Sequence, residues 1–300
     1  KLNFYFLFKN FKDSKKIVNK YIKKNIITYD NKFKEKISFL RPGDLIINDT
    51  PNKIDKEFLS FCEKKSIKNL ILIDHDKIKF KYNYFTINGI FYFKKILEKK
   101  KNLFQGPKYI ILDKKFSSIK KVKSKKFRIL VTTGGTDNKN ILLKIYNCLK
   151  NLPNIYFYFV VGPGFKKNNP INKLKKNNIF LIKNKVDLTK YYKNTDLSIT
   201  AGGISMFESI LTRNITLVTE LYQNQKYSIK YLKKLGIIFV IGKKSIIFKK
   251  KLFVIVQKYI KEKSNKGLNY PKKFNLIDGK SIFRIEKILH KVINEDKKLS

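Results

Sequence analysis

Two consecutive glycines, Gly202 and Gly203, stand between a short apolar run and a segment with helical spacing. The run Leu197–Thr200 is partly β-branched and predicts a buried strand, and apolar residues recur at helical intervals from Met206 to Leu211. Glycine lets a ligand approach the backbone, and the free N–H groups of a helix start carry roughly half a positive charge. Strand, turn and helix together therefore predict a phosphate site.

The same stretch also fits a purely structural interpretation. Ser205 and Glu208 have the spacing of a capping box, in which both side chains bind backbone N–H groups of their own helix and need no ligand. The glycine turn by itself leaves the two interpretations open, so the surrounding elements have to decide.

Three more turns of this kind follow predicted strands. In a parallel sheet such turns collect at the carboxyl edge, where ligands bind. We therefore expect them to converge with the Gly202 turn. Their candidate binding residues are Gly134, Gly135, Thr136, Gly162, Asn224 and Gln225.

The elements that position these turns alternate between strand and helix, which implies an α/β fold with parallel sheets and helices on both faces. In the first half the predicted strands are Phe4–Phe8, Asp44–Asn48, Asn69–Ile73, Tyr84–Ile87 and Ile110–Leu112. In the second half they are Phe127–Thr132, Ile155–Val161, Ile179–Ile182, Leu197–Thr200 and Ile215–Val218. A Lys- and Ser-rich stretch at 114–126 separates the halves, so we predict domains at residues 1–122 and 123–300.

The chain is strongly basic, with 68 Lys and Arg against 22 Asp and Glu in 300 residues and a net charge of +46. Such a charge is typical of proteins that bind nucleic acid or anionic membranes. Here the lysines are spread along the whole chain beside abundant Asn, Ile, Phe and Tyr, which indicates a codon bias toward A and T. We predict no specific nucleic-acid partner and only weak polyanion binding at low salt.

Cysteine use and hydropathy favour a cytoplasmic location. The two cysteines, Cys62 and Cys148, fit neither a metal-binding spacing nor a disulfide scaffold. No apolar run reaches the ~18–20 residues of a membrane span. The chain begins at Lys1 directly inside a predicted strand, so we expect upstream residues in the full protein. The sequence does not indicate an oligomeric state.

The series of turns resembles the UDP-sugar hydrolases of pseudaminic acid synthesis and the related spore-coat polysaccharide proteins. The matching segments are 131–137, 161–165, 201–208, 224–225 and, in the first half, 105–112. The resemblance implies the glycosyltransferase-B fold, in which two Rossmann-like domains face a cleft. It also implies cleavage of a UDP-linked diacetamido-trideoxy sugar with release of UDP, without a metal or another cofactor.

This resemblance gives the residues roles. The glycine turns would hold the diphosphate, with Ser205 at the helix start, and Glu208 would accept hydrogen bonds from the ribose hydroxyls. Asn224 and Gln225 would donate to phosphate or sugar oxygens. Asn88, at the end of a predicted strand, would contact the sugar.

One feature of the family is missing. The family's first strand leads into a Gly-x-Gly-His loop whose histidine positions or activates the attacking water, and this sequence has no such loop. The remaining candidates for a catalytic role are His75, Asp49 and Asp74, which lie at or after predicted strand ends. We predict a UDP-sugar hydrolase. The alternatives are a UDP-sugar-dependent glycosyltransferase of the same fold and a catalytically inert nucleotide-sugar-binding protein.

Overall fold

The computed structural model describes residues 5–9, 25–29, 33–49, 56–73, 85–89, 102–183, 185, 187–242, 245–271 and 274–294. The chain divides into two compact units. The first comprises Lys1–Leu72, Lys79–Thr86 and His290–Ser300, and the second comprises Ile73–Ile78 and Ile87–Leu289. The predicted domain boundary between residues 122 and 123 stays a prediction.

Short elements make up the described part of the first half. A two-stranded parallel sheet pairs β1 (Phe6–Lys9) with β2 (Ile26–Tyr29). A four-stranded sheet has the order β3-β4-β5-β6. Its strands are β3 (Leu45–Asp49), β4 (Lys68–Ile73), β5 (Phe85–Asn88) and β6 (Leu103–Gln105). The helices are α1 (Phe33–Lys36) and α2 (Lys56–Lys64), which precede β3 and β4 respectively.

One predicted strand of this half is wrong. Ile110–Leu112 forms no strand, because Pro107–Tyr109 is a 3-10 turn whose carbonyl at Pro107 accepts from the N–H of Ile110. The segment after this turn is extended but unpaired, and Ile110 and Leu112 are buried in the core beside it. The strand that completes the sheet is β6, in a segment whose basic residues obscure any alternation.

The second half is built on six parallel strands in the order β12-β11-β10-β7-β8-β9. They are β7 (Phe127–Thr132), β8 (Ile155–Val161), β9 (Ile179–Lys183), β10 (Leu197–Ala201), β11 (Ile215–Thr219) and β12 (Phe239–Val240). All five residues of β10 and all five of β11 are buried, as expected for parallel strands covered on both faces. This confirms the predicted α/β class.

Helices cover both faces of this sheet. They are α3 (Ile141–Leu149), α4 (Thr189–Lys193), α5 (Ile204–Leu211), α6 (Lys226–Lys234) and α7 (Ser245–Lys266). A further helix, α8 (Ser281–Asn294), follows them in the chain. One apolar core joins α3 and α7 to the sheet, and a second joins α5 and α6 to its other face. None of the helices in the described ranges is both long and apolar enough to cross a membrane.

A buried carboxylate anchors the amino edge of the six-stranded sheet. Asp196, just before β10, is fully buried and accepts from the backbone N–H of Arg128 at 2.8 Å, from Nζ of Lys263 at 2.7 Å and from the hydroxyl of Tyr270 at 2.7 Å. Lys263 lies in the last turn of α7, so this carboxylate attaches that helix to the sheet. At this edge the side chains of Lys263 and Tyr270 therefore surround Asp196.

Candidate functional site

The strand order predicts a ligand crevice between β7 and β10. From β7 the chain proceeds outward through β8 to β9, then returns to β10 on the other side of β7 and continues to β11 and β12. Ligands of open α/β sheets bind at such a switch point, beyond the carboxyl ends of the strands. The turns that follow β7 and β10 are the Gly134 and Gly202 turns, so they flank this crevice.

Hydrogen bonds connect the four predicted turns. The N–H of Gly164, in the turn after β8, donates to the carbonyl of Gly135 at 2.9 Å. The hydroxyls of Thr136 and Tyr222 are 3.3 Å apart and join the turns after β7 and β11. The N–H of Gly202 donates to Oε1 of Gln225 at 3.2 Å and joins the turns after β10 and β11. The structure thus brings the predicted turns together in one continuous cluster.

The capping box, one of the two interpretations open for Ser205 and Glu208, does not form. The N-cap of α5 is Gly203, in an extended conformation with φ −93° and ψ −155°, and no side chain in the described part of the chain caps this helix. Ser205 is consequently the second helical residue and Glu208 the fifth, too far along for the reciprocal bonds of a capping box. The amino terminus of α5 keeps its positive end open to the crevice.

The turn after β7 ends in a helix that is already capped. Asp137 is buried, and its carboxylate accepts from the N–H groups of Ile141 at 2.7 Å and Leu142 at 3.2 Å. Burial raises the pKa of this carboxyl above its usual range, against the opposing effect of the two N–H donors. A polar hollow of about 290 Å³ opens beside it, lined by Asp137, Asn138, Asn140, Lys166, Asn168, Asn169 and Pro170. Because Asp137 occupies the start of α3, the open helix terminus at the crevice is that of α5.

Gly162 was predicted as a binding residue, and the structure shows that it also has a packing role. A Cβ on Gly162 would stand 2.5 Å from the carbonyl oxygen of Gly134 and 2.7 Å from that of Gly135. The missing side chain lets the turns after β7 and β8 pack backbone to backbone. Gly134 and Gly135 are themselves exposed, and a Cβ on either would meet no atom within 4 Å. The N–H of Gly134 donates to the hydroxyl of Thr132 at 3.3 Å.

Gln225 supports the glycine turn through the carbonyl end of its side chain. Its Oε1 accepts from the N–H groups of Gly202, Leu221 and Tyr222 at 3.2, 3.3 and 3.4 Å. A Cβ on Gly202 would come within 2.9 Å of Cβ of Gln225 and 2.5 Å of Cδ1 of Ile229, so α6 lies directly on this turn. The amide Nε2 lies close to Gly203 and remains able to donate to a ligand. The side chain of Asn224 lies outside the described residues.

The side chain of Glu208 is held by Tyr192, a residue that the sequence analysis did not identify. The hydroxyl of Tyr192, in α4, lies 3.3 Å from Oε2 of Glu208 and 3.0 Å from the carbonyl of Ser205. Burial raises the pKa of Glu208 to about 7 and raises that of Tyr192 well above 10. Nothing in the sequence connected Tyr192 to Glu208, since the two residues lie on separate helices.

The described residues do not bring together the catalytic and sugar-binding candidates of the first half. Asp74 and His75 lie outside these residues, and Asp49 is described only in its backbone, as the last residue of β3. Asn88 is fully buried, and its carbonyl accepts from the N–H of Gly106 at 2.9 Å. The catalytic and sugar-binding roles predicted for these four residues stay predictions. The described residues hold no group of three His, Cys, Asp or Glu side chains placed for a metal ion.

Comparison with curated proteins gives two relatives. The chain is 30% identical over 219 residues to an uncharacterized protein of Methanocaldococcus jannaschii, in a match that covers 65% of this chain and 43% of that protein. It is 23% identical over 259 residues to the spore coat polysaccharide biosynthesis protein SpsG of Bacillus subtilis, covering 80% of this chain and 74% of SpsG. No family model matches the chain.

Solved structures decide the fold. MurG of Acinetobacter baumannii superposes with a TM-score of 0.61 at 11% identity, over 93% of this chain and 88% of MurG. A glycosyltransferase from Rickettsia africae gives 0.57 at 13% identity, over 93% and 87% of the two chains. The chain has the glycosyltransferase-B fold. The pneumococcal O-GlcNAc transferase GtfA, solved with UDP and GlcNAc, gives 0.53 at 15% identity, over 88% of this chain and 59% of GtfA.

Proposed function

We propose that the chain binds a UDP-sugar through the turns of its second half and transfers the sugar to an alcohol acceptor during surface polysaccharide synthesis. The observation that carries this proposal is the uncapped amino terminus of α5 at the switch point of the sheet. The fold, the homology to SpsG and the transferases among the structural neighbours support transfer as the reaction.

The diphosphate is proposed to bind at the start of α5. The N–H groups of Ile204 and Ser205, at the uncapped start of α5, and that of Gly135 are the proposed donors, and the helix dipole favours a negative charge there. Nε2 of Gln225 adds a side-chain donor close to Gly203. The whole arrangement is fixed by the hydrogen bonds between turns, so it needs little rearrangement when the ligand binds.

These donors would also serve the reaction. When the bond between the sugar and the diphosphate breaks, negative charge develops on the departing UDP. Fixed N–H groups and a helix dipole at that position stabilise the developing charge without the cost of reorganising a solvent shell. The part of the reaction that the described residues support is therefore the stabilisation of the leaving group.

Glu208 is proposed to recognise the ribose. Its side chain is on α5, one turn beyond the proposed diphosphate position, and Oε1 makes no hydrogen bond to any described residue. A carboxylate oxygen of this kind accepts from a ribose hydroxyl. Removal of such a partner from a largely buried site costs about 1–3 kcal/mol of binding free energy.

Hydrolysis is the second candidate, because the order of the turn motifs resembles that of UDP-sugar hydrolases. The test is UDP release from UDP-N-acetylglucosamine and from a UDP-diacetamido-trideoxy sugar, each with and without an added polyprenol-linked acceptor. Release that requires the acceptor supports transfer, and equal release without it supports hydrolysis. If the chain binds UDP but releases none from any donor, the result supports a nucleotide-sugar-binding protein without catalytic activity. If the chain does not bind UDP, the proposal is overturned.

A further inference from the structure

The position of Tyr192 is fixed from three directions. It is fully buried, and its ring meets the ring of Phe116 edge to face at a centroid distance of 5.6 Å. Its backbone carbonyl accepts from Nζ of Lys121 at 2.8 Å. Its hydroxyl reaches across to α5, to the carbonyl of Ser205 and the carboxylate of Glu208. A residue held this firmly can fix a more mobile side chain that contacts it.

The hydroxyl cannot serve both partners equally, because it has a single hydrogen. When Glu208 is ionised, its carboxylate is the stronger acceptor, and Tyr192 donates to Oε2. When Glu208 is neutral, its own O–H can donate to the tyrosine oxygen while Tyr192 donates to Ser205. In both states the bond holds the carboxyl group by Oε2 and leaves Oε1 without a hydrogen-bond partner among the described residues.

We propose that Tyr192 is a positioning residue that orients Glu208 toward the ribose of a bound nucleotide and thereby sets the preference for ribose over deoxyribose. This inference rests on the proposed function. A long side chain such as glutamate loses rotamer freedom when it binds a ligand, and a second bond that already holds it reduces that loss. A site built to hydrogen-bond a hydroxyl also rejects analogues that lack it, because its polar group is then left unpaired.

The test compares UDP with its 2′-deoxy and 3′-deoxy analogues by calorimetry on the whole chain. We expect the unmodified chain to bind UDP at least about tenfold more tightly than one of the two analogues. Tyr192→Phe removes only the hydroxyl and should reduce this ratio at least about threefold, while the affinity for the discriminated analogue stays within about twofold. The matched control is Tyr191→Phe, since the neighbouring tyrosine is only half-buried and does not contact Glu208.

Two further results make the test decisive. The UDP preference of the unmodified chain should rise as pH increases through about 7, where Glu208 becomes a pure acceptor. In Tyr192→Phe this midpoint should move to higher pH, because the tyrosine bond favours the charged carboxylate. An unchanged preference in Tyr192→Phe overturns the inference. A flat pH profile of the unmodified chain also overturns it, and this second measurement does not require the variant to fold. UDP binding without ribose preference overturns this inference alone, whereas absence of UDP binding overturns the proposed function.

Discussion

Replacement of Glu208 by glutamine should make the protein more stable at alkaline pH, although it alters a residue of the proposed site. Glutamine has nearly the same volume and keeps a carbonyl oxygen that can accept from Tyr192. It cannot ionise, so it does not place a charge in a largely buried position. The change therefore isolates the cost of ionising Glu208 in the folded protein.

The magnitude follows from the pKa. Burial raises the pKa of Glu208 from 4.5 to about 7. The folded state therefore binds a proton between these pH values that the unfolded state has released. The stabilisation from the neutral carboxyl is complete below pH 4.5 and is lost as pH rises through 7. At about 1.4 kcal/mol per pH unit, this corresponds to a loss of up to about 3 kcal/mol in the free energy of unfolding.

The assay is urea unfolding of the ligand-free chain at pH 5 and pH 8.5. Glu208→Gln should exceed the unmodified chain by less than about 1 kcal/mol at pH 5 and by about 3 kcal/mol at pH 8.5. Glu286→Gln, at an exposed position of α8, is the control and should show no such difference. The reasoning is refuted if the two chains differ by the same free energy at both pH values.

Three other predictions concern packing, the buried ion cluster and the net charge. Gly202→Ala should reduce stability by about 1–3 kcal/mol in urea unfolding, because its Cβ would overlap Ile229. Gly203→Ala, with φ −93° and only an ordinary contact of 3.6 Å to Nε2 of Gln225, should change stability by less than about 0.5 kcal/mol, and equal effects would contradict the packing account. Asp196→Asn should lower the free energy of unfolding by about 3–5 kcal/mol, because it leaves the ammonium of Lys263 without its carboxylate. The control Asp187→Asn, on the surface, should have almost no effect, and a loss below about 1 kcal/mol for Asp196→Asn would show that the cluster does not anchor α7. Binding to duplex DNA, measured by fluorescence anisotropy, should fall steeply from 50 to 200 mM salt without sequence preference, and tight selective binding at physiological salt would reverse our interpretation of the +46 charge.

The sequence predicted the sheet better than the contacts within the site. β7 and β8 have the predicted bounds because each is a largely apolar segment followed by a glycine turn. The capping box was wrong because Gly203 remains extended and α5 starts at Ile204, one residue before the predicted cap. A spacing of three residues indicates which side chains can bond, but the backbone conformation of the preceding glycine determines where the helix begins.

The supporting role of Gln225 and the contact of Tyr192 could not be predicted, for a different reason. Gln225 bonds to Gly202, which is 23 residues away, and Tyr192 reaches Glu208 from a separate helix. Such contacts depend on how α4, α5 and α6 pack on the sheet, and no local pattern encodes them. The sequence could identify the turns as binding elements, whereas the side chains that hold them in place required the structure.

The most direct test of the account is calorimetric titration of UDP into the chain with Ile204→Glu. Ile204 is the first residue of α5 and is 53% exposed, so glutamate there causes little loss of packing and even favours the helix start. It places a negative charge where we propose that the diphosphate binds. The matched control is Ile282→Glu, in the first turn of α8 and 48% exposed. The account predicts that Ile204→Glu weakens UDP binding at least about tenfold while Ile282→Glu binds like the unmodified chain. Equal UDP affinity in all three proteins would contradict it.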